Sequence, residues 1–135
     1  LNQQAVWLAC CGLGTVAHGG SHGIGYILGS LCGVPHGYTS CVMLPAVLEW
    51  NSQNNSQQQK AIADALGHPG QSAADAVRNL IASLDLPTTL QQLEVQSDQL
   101  PAIAERAIKH PVVRNNPRRL ESAQQVMEIL QIAWG

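Results

Sequence analysis

A chain of 135 residues, 45% of them hydrophobic, suits one domain with a real core rather than a disordered segment. Its formal charge of -2 gives no electrostatic case for nucleic acid or for an anionic membrane surface, both of which call for clustered Lys and Arg. The charge is unevenly spread: no Asp, Glu, Lys or Arg occurs from Leu1 to Leu48, and all sixteen charged residues lie from Glu49 onward.

Apolar residues recur at helical spacing and alternating β-branched runs are absent, which predicts an all-α multi-helix bundle of six or seven helices. The first helix runs from about Gln3 to Thr15 or beyond. It belongs to the uncharged front third, which is expected to be buried under the rest of the chain, a partner or a further domain. Its apolar stretch from Ala5 to Ala17 is short of the roughly 20 residues a bilayer helix needs, and no basic region precedes it as in a signal peptide. Leu1 stands where a natural start carries Met, so more chain is expected upstream.

The second helix is predicted from about Gly20 to Leu28 and the third from about Tyr38 to Trp50, followed by a polar connection over Asn51 to Gln57. A fourth spans about Ser56 to Leu66. A fifth spans Ser72 to Leu84, with Ala73, Ala76, Val77, Leu80, Ile81 and Leu84 as its apolar stripe. Thr88 to Leu93 reads as a short helical turn. Ser97 is expected to cap a sixth helix that buries Leu100, Ile103, Ala104, Ala107 and Ile108 before Pro111 stops it. The last helix begins at Ser122, where Gln125 completes a capping box, and turns Val126, Ile129, Leu130, Ala133 and Trp134 inward.

Cys10, Cys11, Cys32 and Cys41 form no C-x-x-C pair. They read as reduced, small core residues, which points to the cytosol. His68 and His110 sit beside prolines in loops and read as bystanders.

Chemistry concentrates between His18 and Pro45, where three histidines lie in the uncharged third. A neutral imidazole can be buried without net charge and is the commonest metal ligand. His18 and His22, four apart, share a helix face and could chelate one ion. His22 and His36 would stand roughly 21 Å apart on a straight helix, so they could share an ion only if the chain turns back. Gly29 weakens the helix and Gly33-Val34-Pro35 breaks it, which supplies the turn. Gly19, Gly20, Gly23, Gly25 and Gly29 suit close approach of backbone to another helix or to a ligand. The spacing alone leaves packed core histidines and metal ligands both open.

The segments Ser21-His22-Gly23-Ile24-Gly25 and Val34-Pro35-His36-Gly37-Tyr38-Thr39-Ser40-Cys41-Val42-Met43-Leu44-Pro45 resemble the signature region of iron-containing alcohol dehydrogenases, nearest to their maleylacetate reductase-like branch. The resemblance continues through Ala46-Val47-Leu48 and Trp50-Asn51 and returns in Asn116-Pro117-Arg118 and Ala133-Trp134. It thus covers residues 1–135 as that family's C-terminal helical, metal-binding domain.

The resemblance implies an NAD(P)-linked oxidoreductase that moves hydride between nicotinamide and an alcohol, carbonyl or maleylacetate-like substrate held against Fe²⁺, or in some members Zn²⁺. It selects His22 and His36 as two of four metal ligands and sets His18 aside. The remaining Asp and His, and the Rossmann-like nucleotide-binding domain, are implied to lie upstream of Leu1. Many members carry a further His where this chain has Tyr26. One turn beyond His22, the phenol could hydrogen-bond a substrate oxygen or relay a proton, with a plain core tyrosine as the alternative. A homo-oligomer is implied, and the isolated chain is expected to be inactive and to bind metal weakly. The rival expectations are a non-catalytic oligomerisation domain with relic ligands, and a relative of glycerol dehydrogenase or dehydroquinate synthase.

Overall fold

Apolar periodicity near 3.6 residues, interrupted by Gly and Pro, produces helices throughout the computed structural model, which describes residues 1–12 and 14–135. The helices are α1 (Asn2–Cys10), α2 (Gly20–Cys32), α3 (His36–Asn51), α4 (Ser56–Ala65), α5 (Ala73–Ser83), α6 (Leu100–Ala107) and α7 (Ala123–Trp134). Short 3₁₀ segments at Gln91–Leu93, Ser97–Gln99 and Pro111–Asn115 link the later helices. Among the described residues there are no strands, as the periodicity predicts.

α2 and α3 form a closely packed pair, with α6 and the third 3₁₀ segment against α2 and with α5 and α7 against α3. The core between them contains Ile24 and Leu28 of α2, Val42 and Met43 of α3, Ile103 of α6, and Ile129 and Leu130 of α7, all essentially inaccessible to solvent. Burial of this order contributes about 1.5–3 kcal/mol per large side chain. A smaller cluster of Leu48, Ala73 and Ala74, flanked by Val77, fastens α5 to the end of α3.

Two caps follow the sequence signals closely. The Ser72 hydroxyl accepts from the Asp75 amide at 3.0 Å and starts α5. At α7, Ser122 Oγ accepts from the Gln125 amide, and Gln125 Oε1 accepts from the Ser122 amide, both at 3.3 Å. Ser97 does not cap α6: it opens a 3₁₀ turn boxed by Gln96 and Gln99, and α6 proper begins at Leu100.

α2 runs on through Gly29 to Cys32 and ends at Gly33, whose φ of 68° is the left-handed helix stop that glycine adopts without a Cβ clash. The return toward His22 therefore begins later than Gly29 suggests. Pro35 then caps α3 in an extended conformation, so the helix starts at His36 rather than Tyr38. From His22 to Cys32 the helix advances about 15 Å, and four residues of extended chain return about 13 Å. Gly29 is not required for that return, because a Cβ there would stand 3.5 Å from the Val34 carbonyl, an ordinary contact.

Two expectations about burial are corrected, for the cysteines and for α5. Of the covers expected for the uncharged third, the rest of the chain supplies none for α1, which is exposed along its length, with Val6 at 62%, Trp7 at 68% and Leu8 at 66%. α1 also closes at Cys10 rather than Thr15; Leu13, within the predicted span, lies outside the described residues. Cys10 and Cys11 are exposed and Cys32 and Cys41 half-buried, so none is a core residue, although all four are free thiols. Leu80 and Leu84, assigned to the inner stripe of α5, point outward, since Ala73, Ala74 and Ile81 make the contact instead.

One polar cluster sits inside this packing. Asn116 Oδ1 accepts from the Gly20 amide at 3.2 Å and from Asn51 Nδ2 at 3.3 Å, and Asn116 Nδ2 donates to Asn51 Oδ1 and to the Arg118 carbonyl, each at 2.7 Å. The Arg118 guanidinium lies 3.6 Å above the Trp50 ring and donates to the Trp50 carbonyl at 3.1 Å. The start of α2, the end of α3 and the Asn116–Arg118 loop are thereby tied at one point.

Asn116→Ala should strip partners from the buried Gly20 amide and the Asn51 carboxamide and cost about 2–4 kcal/mol in urea unfolding, since each unsatisfied buried group costs about 1–3 kcal/mol. A second comparison isolates the α2 contact. A Cβ on Gly23 would fall 2.3 Å from Val113 Cγ2 and 3.0 Å from the Val113 amide nitrogen, whereas one on Gly37 would meet nothing within 4 Å. Gly23→Ala should lose about 1–3 kcal/mol to overpacking, while Gly37→Ala should range from no change to a gain of about 1 kcal/mol.

Candidate metal centre

His22 occupies the first turn of α2, Tyr26 the next turn, and His36 the first position of α3. Their convergence depends on the absence of side chains between the two helices. A Cβ on Gly25 would lie 2.9 Å from the Thr39 hydroxyl, so α3 crosses α2 at a distance only glycine permits. The same Thr39 hydroxyl donates to the His36 carbonyl at 2.7 Å and holds the first turn of α3 in place.

The rings of His22 and His36 stand 6.0 Å apart, centroid to centroid, at 68° to one another. Two imidazoles on one first-row metal, each with about 2.0–2.1 Å from nitrogen to metal, place their centroids roughly 5–6 Å apart. The donor set and its spacing therefore fit a divalent ion. His18 and His22 are closer, at 4.4 Å, but stack face to face at 16°. In-plane lone pairs on parallel rings do not meet at one point, so this nearer pair lacks the chelating arrangement. Among the described residues no group of three or more His, Cys, Asp or Glu could hold a metal ion.

Tyr26 joins the cluster at the surface. Its ring lies 5.9 Å from that of His36, nearly parallel at 12°, and 6.2 Å from that of His22. It is 41% exposed and its hydroxyl has no hydrogen-bond partner among the described residues, so it is not a packed core tyrosine. His110, set aside in the sequence as a loop residue, stands on its other side with ring centroids 5.3 Å apart. Nothing in the local sequence signals this; the approach exists because the Pro111–Asn115 segment packs its Val113 onto Gly23 of α2. His68 does stay apart, in the turn after α4.

His18, His22, Tyr26 and His36 all belong to the stretch before Glu49 that carries no formal charge. Burial, and then the neighbouring His18 and His36, hold the His22 imidazole below its usual pKa. It thus remains neutral, the form that binds metal, further into the acid range. Burial raises the thiols of Cys32 and Cys41, which keeps them protonated and unlike thiolate ligands. Two imidazole nitrogens, His18 Nε2 and His110 Nδ1, are buried without a hydrogen-bond partner.

Comparison with known proteins identifies the family. Residues 3–134 match the model of the Fe-containing alcohol dehydrogenase family, C-terminal. Among curated relatives, dehydrogenase ALT3 of Alternaria alternata is 38% identical over 134 residues, covering 85% of this chain and 34% of the relative. Maleylacetate reductase of Burkholderia cepacia is 35% identical over 85% of this chain and 32% of its own, and lactaldehyde reductase of Escherichia coli K12 is 26% identical over 95% and 36%. Of solved structures, 1,3-propanediol oxidoreductase superposes with a TM-score of 0.72 at 27% identity, covering 86% of this chain and 32% of that one. Maleylacetate reductase from Rhizobium sp. strain MTP-10005 gives 0.73 at 27% identity, over 85% and 31%. The chain spans about a third of the length of these relatives. With its helical fold, its signature segments and this match over nearly every residue, the chain belongs to the Fe-containing alcohol dehydrogenase family and corresponds to that family's C-terminal part.

Proposed function

We propose that this chain is the helical part of a metal-dependent, NAD(P)-linked oxidoreductase and that His22 and His36 hold the metal, Fe²⁺ or Zn²⁺. The observation that carries the reading is the approach of these two rings, fourteen residues apart in sequence, to 6.0 Å at an open angle. Two neutral imidazoles leave the ion's charge uncompensated, so the complete site takes a carboxylate and a further donor from another part of the full-length protein, as it takes the nicotinamide-binding domain. The ion, when bound, supplies Lewis-acid polarisation of a carbonyl or alkoxide oxygen.

The chain's own residues orient the substrate. Tyr26, exposed beside His36 with a free hydroxyl, donates a hydrogen bond to the reacting oxygen. The substrate is a small alcohol or carbonyl compound, in keeping with the names of the relatives. The exposed apolar α1, carrying Val6, Trp7 and Leu8, supports burial of that helix in the full-length homo-oligomer. The same patch is what a purely self-associating, non-catalytic domain would show, and metal binding separates the two readings.

In the full-length protein, His22→Ala and His36→Ala should each weaken Fe²⁺ or Zn²⁺ binding by at least about 100-fold by calorimetry, more than loss of an outer-shell partner, and abolish aldehyde-dependent NAD(P)H oxidation. His18→Ala should leave metal affinity within a few-fold. Tight binding that survives His22→Ala would reject the ligand assignment. Tyr26→Phe should retain the metal and lower kcat/KM about 10-fold, the kinetic equivalent of about 1.4 kcal/mol.

A further inference from the structure

Five of the seven Lys and Arg residues, Arg106, Lys109, Arg114, Arg118 and Arg119, fall within residues 106–119, a stretch that contains no Asp or Glu. Arg118 is used inside the fold, stacked on Trp50 and bonded to its carbonyl. Lys109, Arg114 and Arg119 instead line one cavity of about 510 Å³, together with Ile108, Leu120 and Glu121. The ion pairs among the described residues draw only on Lys60 and Arg78, so none of these three cations is neutralised by a carboxylate there.

The walls of the cavity come from three elements that the core holds in place. Lys109 follows the last turn of α6, where its amide donates to the Arg106 carbonyl at 3.2 Å. Arg114 belongs to the third 3₁₀ segment, next to the Val113 that packs on Gly23. Arg119 and Glu121 flank Leu120, which is buried in the main core, and the Glu121 amide donates to Gln125 Oε1 at 2.7 Å. A cation at Lys109 complements the negative end of the α6 dipole. Arg119 has no such reason to be there, since it stands three residues before the Ser122 cap of α7, at the helix end that favours an anion. Like charges around one cavity repel, and a bound anion reverses that repulsion.

We propose that this cavity binds the phosphate group of a small organic phosphomonoester. Such a group carries roughly -1.5 to -2 charge at neutral pH on three acceptor oxygens, which suits three cationic side chains better than the single charge of a carboxylate. Arginine presents a planar fork that takes two oxygens, and lysine adds a compact point charge. Ile108 and Leu120 offer the carbon part of the ligand an apolar surface, and the cavity volume falls within the range of small-molecule sites. The chain as a whole is negative and these cations line a cavity, so a small anion fits better than a nucleic-acid backbone. Glu121, the one carboxylate in the lining, opposes binding.

Calorimetry on the full-length protein tests this with phenyl phosphate, inorganic phosphate and benzoate. The protein is first depleted of metal, so that phosphate finds no ion at His22 and His36. Phenyl phosphate should bind about 10-fold more tightly than benzoate, through its extra charge and oxygens, and about 10-fold more tightly than inorganic phosphate, through its apolar area. Arg114→Gln and Arg119→Gln, which keep much of the aliphatic stem, should each weaken phenyl phosphate about 10-fold, the scale of a hydrogen bond to a charged group. Glu121→Gln should tighten it about threefold, and Arg106→Gln, an exposed cation outside the cavity, should leave affinity within about twofold. Native affinity retained in both Arg114→Gln and Arg119→Gln overturns the proposal. So does an equal loss in Arg106→Gln, which marks diffuse attraction alone, and so does failure of phenyl phosphate to bind the native protein. Equal affinity for phenyl phosphate and inorganic phosphate overturns the organic ligand and assigns the cavity to free phosphate. None of these outcomes bears on the metal ligands proposed above.

Discussion

The carboxamides of Asn51 and Asn116 face each other inside a protein whose first third offers no charge of its own. Asn116 is 4% exposed and engages donors and acceptors from three separate elements at once. In a low-dielectric interior each of these hydrogen bonds is stronger than in water, and each group left unmade is costly, so the cluster is either complete or destabilising. Its completion fixes where α2 begins. Because His22 sits two residues after Gly20, the same hydrogen bonds that end α3 and turn the Asn116–Arg118 loop also place the first imidazole of the site.

The second imidazole arrives by a different route. α3 can cross α2 closely because Gly25 presents bare backbone to Thr39, and Gly23 does the same for Val113 of the third 3₁₀ segment. Glycine within a helix costs about 0.5–1 kcal/mol relative to alanine, and here that cost is offset by interhelical contact. The tail of the core, from Leu28 through Met43 to Ile129, then holds the two helices in register. Stability and site geometry share residues in this fold, so a substitution along the α2–α3 contact disturbs both together.

The stretch of sequence that holds His18, His22 and His36 carries no formal charge. At His22, burial and then the neighbouring His18 and His36 hold the imidazole below its usual pKa. A neutral His22 imidazole suits a cation held jointly with an anionic group. α1 shows the other side of the same composition. Uncharged and apolar, but with no described element packed on it, it presents Trp7 and its neighbours to solvent, a larger apolar patch than isolated surface residues make.

Periodicity, caps and breakers were enough to read the all-α class, the boundaries of α4, α5 and α7, and the stop near Gly33, because these depend on interactions within a few residues. The signature segments pointed to His22, Tyr26 and His36 before any coordinates, since a family motif records which residues meet without saying how. What the sequence could not carry were the long-range terms. That α2 outlasts Gly29, that Leu80 and Leu84 face outward, that α1 stays uncovered and that His110 stands against Tyr26 all follow from which surfaces find partners across the bundle. Local pattern determined what each segment could be; packing between segments as far apart in the chain as His22 and His110 decided which side chains came to share one site.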